Sequence, residues 1–288
     1  MDSLIRIWAQ CFGYLLHLLP RQTQLLLGDL LGSIIYYTCG RARKTAELNF
    51  TQAFGFLSQE AIRACFSHFG KCILEILQIT NGVSQLKFLR FENQELMIEH
   101  QKSGMGSILI SAHFGNWELV GSLSQFGLPI YGLYREQKQA QGLIYWLRKQ
   151  TGMIPLDVQK SLKGAIKALK EGKILGIVGD QFREKEFLFF KSNTHFPLGA
   201  ARLACQMNCP LFFVTCEREG MDLVIRVHEV LYPDVSMPTE DKVDDIVNRY
   251  ISLLEGRISK APEQYLWMRD YWGNFRNQLT KSSNKLVD

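Results

Sequence analysis

The sequence lacks the features that would assign it to several large classes of protein. It carries 33 lysines and arginines against 28 acidic residues, and a net charge of +5 is too small to indicate a nucleic-acid-binding protein. It also contains no dense basic run and no nucleic-acid motif. We therefore expect no nucleic-acid partner, although the mild positive charge is compatible with an anionic membrane surface or a phosphorylated substrate.

Cysteine is present, but not in a pattern typical of zinc sites or disulfide frameworks. The seven cysteines are odd in number and scattered, and no Cys-x-x-Cys pair occurs. No histidine stands at zinc-ligand spacing from them. The thiols are predicted to be reduced and mostly buried in a protein that faces the cytosol, and no metal is expected.

The amino-terminal 40 residues lack the basic start and cleavage site of a signal peptide, yet they are the most apolar part of the chain. The first apolar run, Leu4–Leu19, is slightly short for a spanning helix, and the second, Leu25–Cys39, contains Asp29. A short membrane anchor, an in-plane amphipathic hairpin and two buried helices all fit this pattern. The basic residues within 41–44 suit a cytoplasmic membrane face and favour membrane attachment.

From Gly104 onwards, apolar runs of strand length alternate with helical segments. This alternation predicts an α/β fold whose sheet is mixed, partly parallel and covered by helices, with an apolar N-terminal helical membrane element. The predicted strands are Ser107–Ala112, Pro129–Tyr134, Met153–Leu156, Ile174–Val178, Leu211–Cys216 and Leu223–Val227. The predicted helices are Trp117–Gln125, Gln137–Thr151, Ser161–Glu171 and Ala200–Met207, after an earlier helix from a Ser58 cap to about Thr80.

No linker, internal repeat or low-complexity tract divides the chain. The sequence therefore predicts three regions. Residues 1–40 are membrane-associating helices, residues 41–275 form one α/β domain, and residues 276–288 are a disordered tail.

The most informative stretch is HFGNWE, residues 113–118, which follows a buried strand. Ligands bind at the carboxyl ends of parallel strands, so His113 is a candidate functional residue. The Glu118 carboxylate reaches the imidazole only if His113 lies in a loop before the next helix. Gly115 permits the backbone to turn there, and Asn116 is a candidate N-cap of that helix. The pair suits general base catalysis, with Glu118 orienting the ring of His113. A buried histidine satisfied by a neighbouring carboxylate has the same spacing.

The run HFGNWE resembles the His-x-x-x-x-Asp/Glu signature of glycerolipid-type acyltransferases. Its glutamate, the preceding Ile-Ser-Ala and the internal Gly-Asn-Trp are similar to the lipid A late acyltransferases, the lauroyl and myristoyl transferases. The phosphatidylinositol mannoside acyltransferases share much of this pattern. The similarity extends from about Arg41 to about Trp272, and it implies that His113 is the base and Glu118 its orienting group.

The resemblance implies further substrate-binding residues. Arg135, after the second strand, and Arg148, in the following helix, match family arginines that contact phosphate or sugar or shape the oxyanion site. Arginine suits phosphate because its planar fork donates two hydrogen bonds. Asp180 and Gln181 match an Asp-Gln pair at a strand end, where Asp180 would orient Arg148 or the sugar, and Asn116 is included in the same site. As alternatives, the arginines are surface charges and Asp180 forms an Asx turn.

Two segments depart from the family pattern. Where the family continues with Phe-Phe-Gly, this chain has Phe-Phe-Lys at 189–191. Glu263–Trp267 resembles the family's Glu-Gln-Tyr-Leu-Trp run, but the usual His and two basic residues are replaced by Arg-Asp-Tyr at 269–271. The lost positive charge leaves room for an unusual or less phosphorylated acceptor.

The resemblance implies transfer of a fatty acyl group from an acyl-carrier-protein or acyl-CoA thioester to a hydroxyl of a lipid A precursor. The reaction would occur on the cytoplasmic side of the bacterial inner membrane, without a cofactor. No serine or cysteine lies in a nucleophile-elbow context, so direct attack of the acceptor is expected. The alternatives are acyl transfer to another glycolipid or phospholipid, hydrolysis of the thioester by water, and a non-catalytic lipid-binding membrane protein.

Overall fold

A computed structural model describes residues 2–134, 141–157, 162–181 and 184–273. In this part of the chain, four helices precede a region of alternating strands and helices. The helices are α1 (Asp2–Leu18), α2 (Arg21–Thr38), α3 (Gly40–Phe54), α4 (Gln59–Gln78), α5 (Glu95–Lys102), α6 (Gln141–Gln150), α7 (Leu162–Lys170), α8 (Gly199–Met207) and α9 (Thr239–Lys260). The strands are β1 (Leu89–Glu92), β2 (Ser107–Ser111), β3 (Ile130–Tyr134), β4 (Ile154–Asp157), β5 (Ile174–Val178), β6 (Lys185–Phe189), β7 (Ser192–Phe196), β8 (Leu211–Glu219) and β9 (Asp222–Leu231).

Seven of these strands form one sheet in the order β1-β9-β8-β2-β5-β3-β4. The five strands from β8 to the β4 edge run parallel, whereas β9 and β1 run in the opposite direction. The predicted α/β fold with a mixed, partly parallel sheet is therefore confirmed. β1, α5, α9 and the β6–β7 hairpin are not among the elements predicted from the sequence.

Both faces of the sheet are buried, and alternate residues of β2 show this directly. Ile108 and Ile110 belong to the core cluster that also contains α8 and α9 residues. Leu109 belongs to the cluster on the opposite face, which contains residues of α5 and of the segment after β2. Because both faces are covered, the carboxyl ends of the parallel strands are the open edge where side chains meet a ligand.

The segment after β2 differs from the prediction. Trp117–Phe126 forms a 3₁₀ helix rather than an α-helix, and Asn116 precedes it without a capping hydrogen bond from its side chain. The predicted N-cap role of Asn116 is therefore wrong. Its amide instead donates to the Glu75 carboxylate of α4, which competes with the capping geometry.

Phe190 and Lys191, where the chain departs from the family pattern, form the turn of the β6–β7 hairpin. Both residues have positive φ angles, 48° and 59°. A two-residue hairpin turn of this kind requires positive φ at both central positions, where glycine is favoured. Lys191 therefore adopts a conformation that glycine adopts without steric cost.

The α1–α2 hairpin packs on α4 through small residues. Gly28 and Gly32 of α2 lie so close to α4 that an added Cβ atom would come within 2.6 Å of Lys71 and 2.2 Å of the Phe66 carbonyl. This close approach leaves the large apolar side chains of both helices on the outer surface. The exposed set is Leu4, Ile5, Ile7, Trp8, Phe12, Tyr14, Leu15, Leu18, Leu26, Leu27, Leu30, Ile34 and Tyr37.

Among the described residues, no helix combines the length and the apolar character needed to cross a bilayer. The division of the chain at residues 40 and 275 remains a prediction. The tail predicted over 276–288 lies outside the described residues.

Candidate active site

The site forms where two neighbouring parallel strands end. β2 and β5 pair in register, with Ser111 opposite Val178, and each strand continues for two residues to His113 and Asp180. The Asp180 carboxylate lies 2.6 Å from Nδ1 of His113 through one oxygen. Its other oxygen accepts a hydrogen bond of 3.0 Å from the His113 backbone amide. Asp180 therefore fixes both the ring and the backbone of His113.

This contact determines the chemistry available to the imidazole. A carboxylate only accepts hydrogen bonds, so Nδ1 carries the proton and Nε2 carries the lone pair of a base, 2.9 Å from the Gln181 amide nitrogen. Burial by itself raises the pKa of Asp180, but the adjacent His113 imidazole and amide outweigh burial and hold that pKa below its usual value. Asp180 is therefore ionised and stabilises the imidazolium that forms when Nε2 takes a proton.

Glu118 does not take the position expected for it. Its carboxylate accepts two hydrogen bonds of 2.7 Å from Arg148 of α6, a bidentate pair, and one of 3.1 Å from the indole of Trp117. Burial raises the pKa of Glu118, but the Arg148 guanidinium outweighs this effect and lowers the pKa below its ordinary value. Asp180, and not Glu118, holds Nδ1 of His113, which corrects the orienting role expected for Glu118. The expected contact between Asp180 and Arg148 is not observed either, since Asp180 pairs with His113 and Arg148 pairs with Glu118.

One more predicted residue, Gln181, borders the imidazole. The side-chain nitrogen of Gln181 lies 2.9 Å from each ring nitrogen of His113. Arg148 is brought into the site by its pair with Glu118. Asn116 is 2% exposed and points into the protein towards α4, so it is not placed to bind substrate. Arg135 lies outside the described residues.

The loop that carries His113 is held by the carboxyl-terminal run that resembles the family. The backbone oxygen of His113 accepts from the Leu266 amide at 2.9 Å, and the Gly115 amide donates to the Gln264 oxygen at 2.9 Å. Gly115 has a φ of 65°, and an added Cβ atom would lie 1.9 Å from the oxygen of Cys216. The loop is therefore clamped between β8 and residues 264–266, and only glycine fits at 115.

A cleft lies next to His113 on the far side of Trp117, whose ring centroid is 4.9 Å from that of the imidazole. Ser111, Trp117, Glu118 and Arg148 line one part of it. The rest is apolar or glycine, from Leu109, Val120, Gly121, Ile130, Gly132, Leu133, Met153, Gly176, Ile177 and Val178. The Ser111 hydroxyl is buried and has no hydrogen-bond partner among the residues that the structure describes. In the described part of the chain, no group of three or more His, Cys, Asp or Glu side chains is arranged to hold a metal ion.

A base at the end of a strand, beside an apolar cleft, fits the resemblance noted from the sequence, and comparison with known families decides it. Residues 3–274 match the family described as bacterial lipid A biosynthesis acyltransferase. The chain belongs to this family.

Individual relatives agree with that assignment. The chain is 31% identical over 186 residues to the lipid A biosynthesis lauroyltransferase of Escherichia coli K12, a match that covers 59% of this chain and 56% of the relative. It is 24% identical to the lipid A biosynthesis palmitoleoyltransferase of the same organism and to a lipid A biosynthesis acyltransferase of Shigella flexneri. The last two matches cover 91% of this chain and 90% of each relative.

This member of the lipid A biosynthesis acyltransferase family contains one group of residues that the sequence analysis missed. Glu75 of α4 is 1% exposed and is bonded to Arg218 of β8, Arg21 of α2 and Asn116. One signal was available. Glu75 shares the apolar face of its helix with Cys65, His68 and Cys72, and a charge on a buried face indicates a specific partner.

Proposed function

We propose that this acyltransferase moves a fatty acyl group from an acyl-carrier-protein or acyl-CoA thioester to a hydroxyl of a lipid A precursor, with His113 as general base. The observation that carries the proposal is the His113–Asp180 pair, which leaves Nε2 as a base, with the ring of Trp117, a residue of the apolar cleft, 4.9 Å from the imidazole ring. Family membership supports the acceptor class, since the named relatives are lipid A acyltransferases.

The reaction proceeds in two steps, addition to the thioester and loss of the thiol, and neither step requires a cofactor. Nε2 of His113 takes the proton from the acceptor hydroxyl as its oxygen bonds to the thioester carbonyl carbon. The tetrahedral intermediate then collapses, the carbon–sulfur bond breaks, and the imidazolium returns the proton to the leaving sulfur. Asp180 stabilises the imidazolium throughout, and the Glu118–Arg148 pair positions polar groups of the substrates at the cleft.

The apolar part of the cleft is proposed to bind the acyl chain of the donor. Leu109 and Ser111 share one face of β2 and line the cleft, because alternate residues of a strand share a face, and His113 lies two residues beyond the end of this strand. A thioester at Nε2 therefore directs its chain along that face, towards the glycines of β3 and β5. Met153 lies against Gly132 at this end, where an added Cβ atom would come within 2.3 Å of its sulfur.

Opposite changes in cleft volume are expected to shift chain-length selectivity in opposite directions. Gly176→Ala adds a methyl group that narrows the cleft, so it favours donors with shorter acyl chains. Met153→Ala removes most of a side chain and enlarges the end of the cleft, so it favours longer acyl chains. One methylene in an apolar pocket is worth about 1–3 kcal/mol, so the ratio of kcat/KM between donors two carbons apart changes by roughly tenfold or more. Competition between mixed acyl donors, followed by mass spectrometry, measures this ratio.

Gly256→Ala is the matched control for the glycine variant. Gly256 is exposed on α9, and an added Cβ atom there meets no atom within 4 Å. Its selectivity should equal that of the wild type. If Gly176→Ala and Met153→Ala shift the chain-length selectivity in the same direction, the acyl chain does not bind in this cleft.

The exposed apolar face of the α1–α2 hairpin is proposed to lie in the cytoplasmic face of the bacterial inner membrane. So large an apolar patch on a soluble domain marks an interaction site, and in-plane helices bury such a face in the headgroup region. α1 contacts α6, which carries Arg148, so the hairpin borders the site. A lipid acceptor can thus reach His113 while part of the lipid remains in the membrane.

Removing apolar surface from this face should weaken vesicle binding. The double variant Trp8→Ser/Leu15→Ser changes residues that are 74% and 58% exposed, and we expect its partition to anionic vesicles to fall at least about tenfold. Co-sedimentation measures the bound fraction. Val235→Ser, at a residue 73% exposed in the loop before α9, serves as the control and should bind like the wild type. Equal loss in both would argue against a hairpin-specific surface.

Mass spectrometry of the products tests the proposed function directly. Purified protein in vesicles is incubated with mixed acyl donors and a lipid A precursor, and a His113→Ala preparation serves as the blank. A product heavier by one acyl chain supports the proposal. Product only with another glycolipid or phospholipid overturns the acceptor, and free fatty acid without acceptor indicates hydrolysis. No product with any acceptor favours a lipid-binding protein without catalysis.

A further inference from the structure

Glu75, in the last turns of α4, is a buried charge outside the cleft with several polar partners. Its two oxygens accept hydrogen bonds of 2.8 and 2.7 Å from Arg218, and a third comes from Arg21. Burial raises the pKa of Glu75, but Arg218 and Arg21 outweigh burial and lower it, so the carboxylate is ionised. Because one carboxylate pairs with two guanidinium groups, its loss would leave two buried cations without this anionic partner.

The first connection from Glu75 leads to the catalytic loop. Asn116, three residues after His113 and two before Glu118, donates its side-chain amide to Glu75 at 3.1 Å. The Asn116 backbone amide donates to the Cys216 oxygen of β8 at 2.7 Å. The loop is therefore fixed from two directions, by a strand and by the carboxylate.

The second connection leads to the hairpin. Arg21 is the first residue of α2, at the turn between α1 and α2. Besides its bond to Glu75, it donates to the Met221 oxygen at 2.8 Å and lies 3.8 Å above the ring of Phe88. The guanidinium is thus held in one position, and it joins the base of the apolar hairpin to Glu75.

The third connection returns to the loop from the other side. The Arg218 backbone is bracketed by the side chain of Gln264, which accepts from its amide at 2.7 Å and donates to its oxygen at 2.9 Å. The backbone oxygen of Gln264 is the acceptor for the Gly115 amide. Glu75 therefore restrains Asn116 directly and Gly115 through Arg218 and Gln264.

We propose that Glu75 is a positioning residue of the acyl transfer, holding the catalytic loop, residues 113–118, against the α1–α2 hairpin through Asn116 and Arg21. The inference rests on the proposed function for its kinetic consequence. The physical reason for a carboxylate here is that it accepts from the loop amide and from both arginines, whereas an apolar side chain would fill the same space without fixing the loop. Displacing a base by about 1 Å costs on the order of 10²-fold in rate.

The test compares two buried carboxylates of similar surroundings. Glu75→Gln removes the charge that connects hairpin and loop. Glu217→Gln is the control, because Glu217 of β8 is also buried and ion-paired with Arg226 and Arg257, and its partners lie outside the catalytic loop. Glu75→Gln removes the ion pairs of Arg21 and Arg218, and Glu217→Gln removes that of Arg257, whereas Arg226 keeps Glu92 and Glu219. Both variants are therefore expected to lose thermal stability, and the difference in loop exchange and kcat between them reports on the loop.

We expect Glu75→Gln to lower kcat by about 10- to 100-fold with the KM for the acyl donor within about threefold, since Glu75 does not line the cleft. Hydrogen exchange at the Gly115 and Asn116 amides should be at least about tenfold faster than in Glu217→Gln. Equal kcat and equal exchange in the two variants, or a loss confined to KM, would overturn the proposal.

The exchange measurement separates this proposal from the function on which it rests. If the wild type transfers no acyl group, the proposed function fails, while loop exchange still decides whether Glu75 restrains the loop. Should Glu75→Gln not fold, Asn116→Ala removes the link to the loop and keeps the ion pairs. It is expected to speed exchange at Gly115 and to lower kcat, and unchanged values for both would refute the proposal.

Discussion

Asp180→Asn is expected to lower kcat by on the order of 10³–10⁴-fold while the protein stays folded. Asparagine keeps the shape, but its amide no longer fixes the proton on Nδ1 of His113 and does not stabilise the imidazolium. The 2.6 Å contact to Nδ1 and the 3.0 Å contact to the His113 amide are both lost as charge-assisted hydrogen bonds. Single-turnover acyl transfer in vesicles measures the effect on chemistry apart from substrate binding.

Glu118→Gln is the comparison that distinguishes the two candidate orienting groups. It disrupts the bidentate pair with Arg148 and leaves the His113–Asp180 contact in place. We expect a smaller loss of kcat than in Asp180→Asn, with a larger share of the effect in KM. If Glu118→Gln stops turnover and Asp180→Asn does not, the structural assignment of the orienting carboxylate is wrong and the assignment from spacing is right.

Gly115→Ala is expected to cost about 4 kcal/mol or more in the free energy of unfolding. The added Cβ atom lies 1.9 Å from the Cys216 oxygen, and that oxygen is already fixed by the Asn116 amide. The φ of 65° adds the strain of a left-handed conformation, so relief requires moving the loop away from β8. Urea denaturation followed by circular dichroism gives the free energy.

The same substitution at Gly256 calibrates this result. Gly256 is exposed within α9, where alanine is the better helix former by up to about 1 kcal/mol. Gly256→Ala should therefore be equal to the wild type or more stable. A Gly115→Ala protein within about 1 kcal/mol of the wild type would show that the loop does not lie against β8 as described.

The sequence predicted the strands well where both faces of the sheet are buried. β2 and β5 are continuous apolar runs of the length that a covered parallel strand requires, and their bounds differ from the predicted ones by at most one residue. The helices around them are amphipathic, so their existence was also predictable. The β6–β7 hairpin was not, because positive φ at Phe190 and Lys191 gives no Gly or Asn signal in the sequence.

The position of His113 after a buried strand, and a turn permitted by Gly115, follow from local sequence alone. The identity of the carboxylate that reaches His113 does not follow from local sequence. Glu118 is five residues from His113 and Asp180 is 67, and spacing along the chain favoured the nearer one. The pairing of β2 with β5 brings Asp180 to the ring, while α6 delivers Arg148 to Glu118.

The sequence by itself determined the fold class and the family and singled out His113 as the candidate base, because these depend on periodicity and on a short motif. Only the tertiary structure decided the partners of that base and the role of Asn116, which binds Glu75 inside the protein rather than a substrate. The physical reason is that charges are paired across the sheet and between elements. Burial makes each unpaired charge costly, so its partner is set by strand order and helix packing and not by distance along the chain.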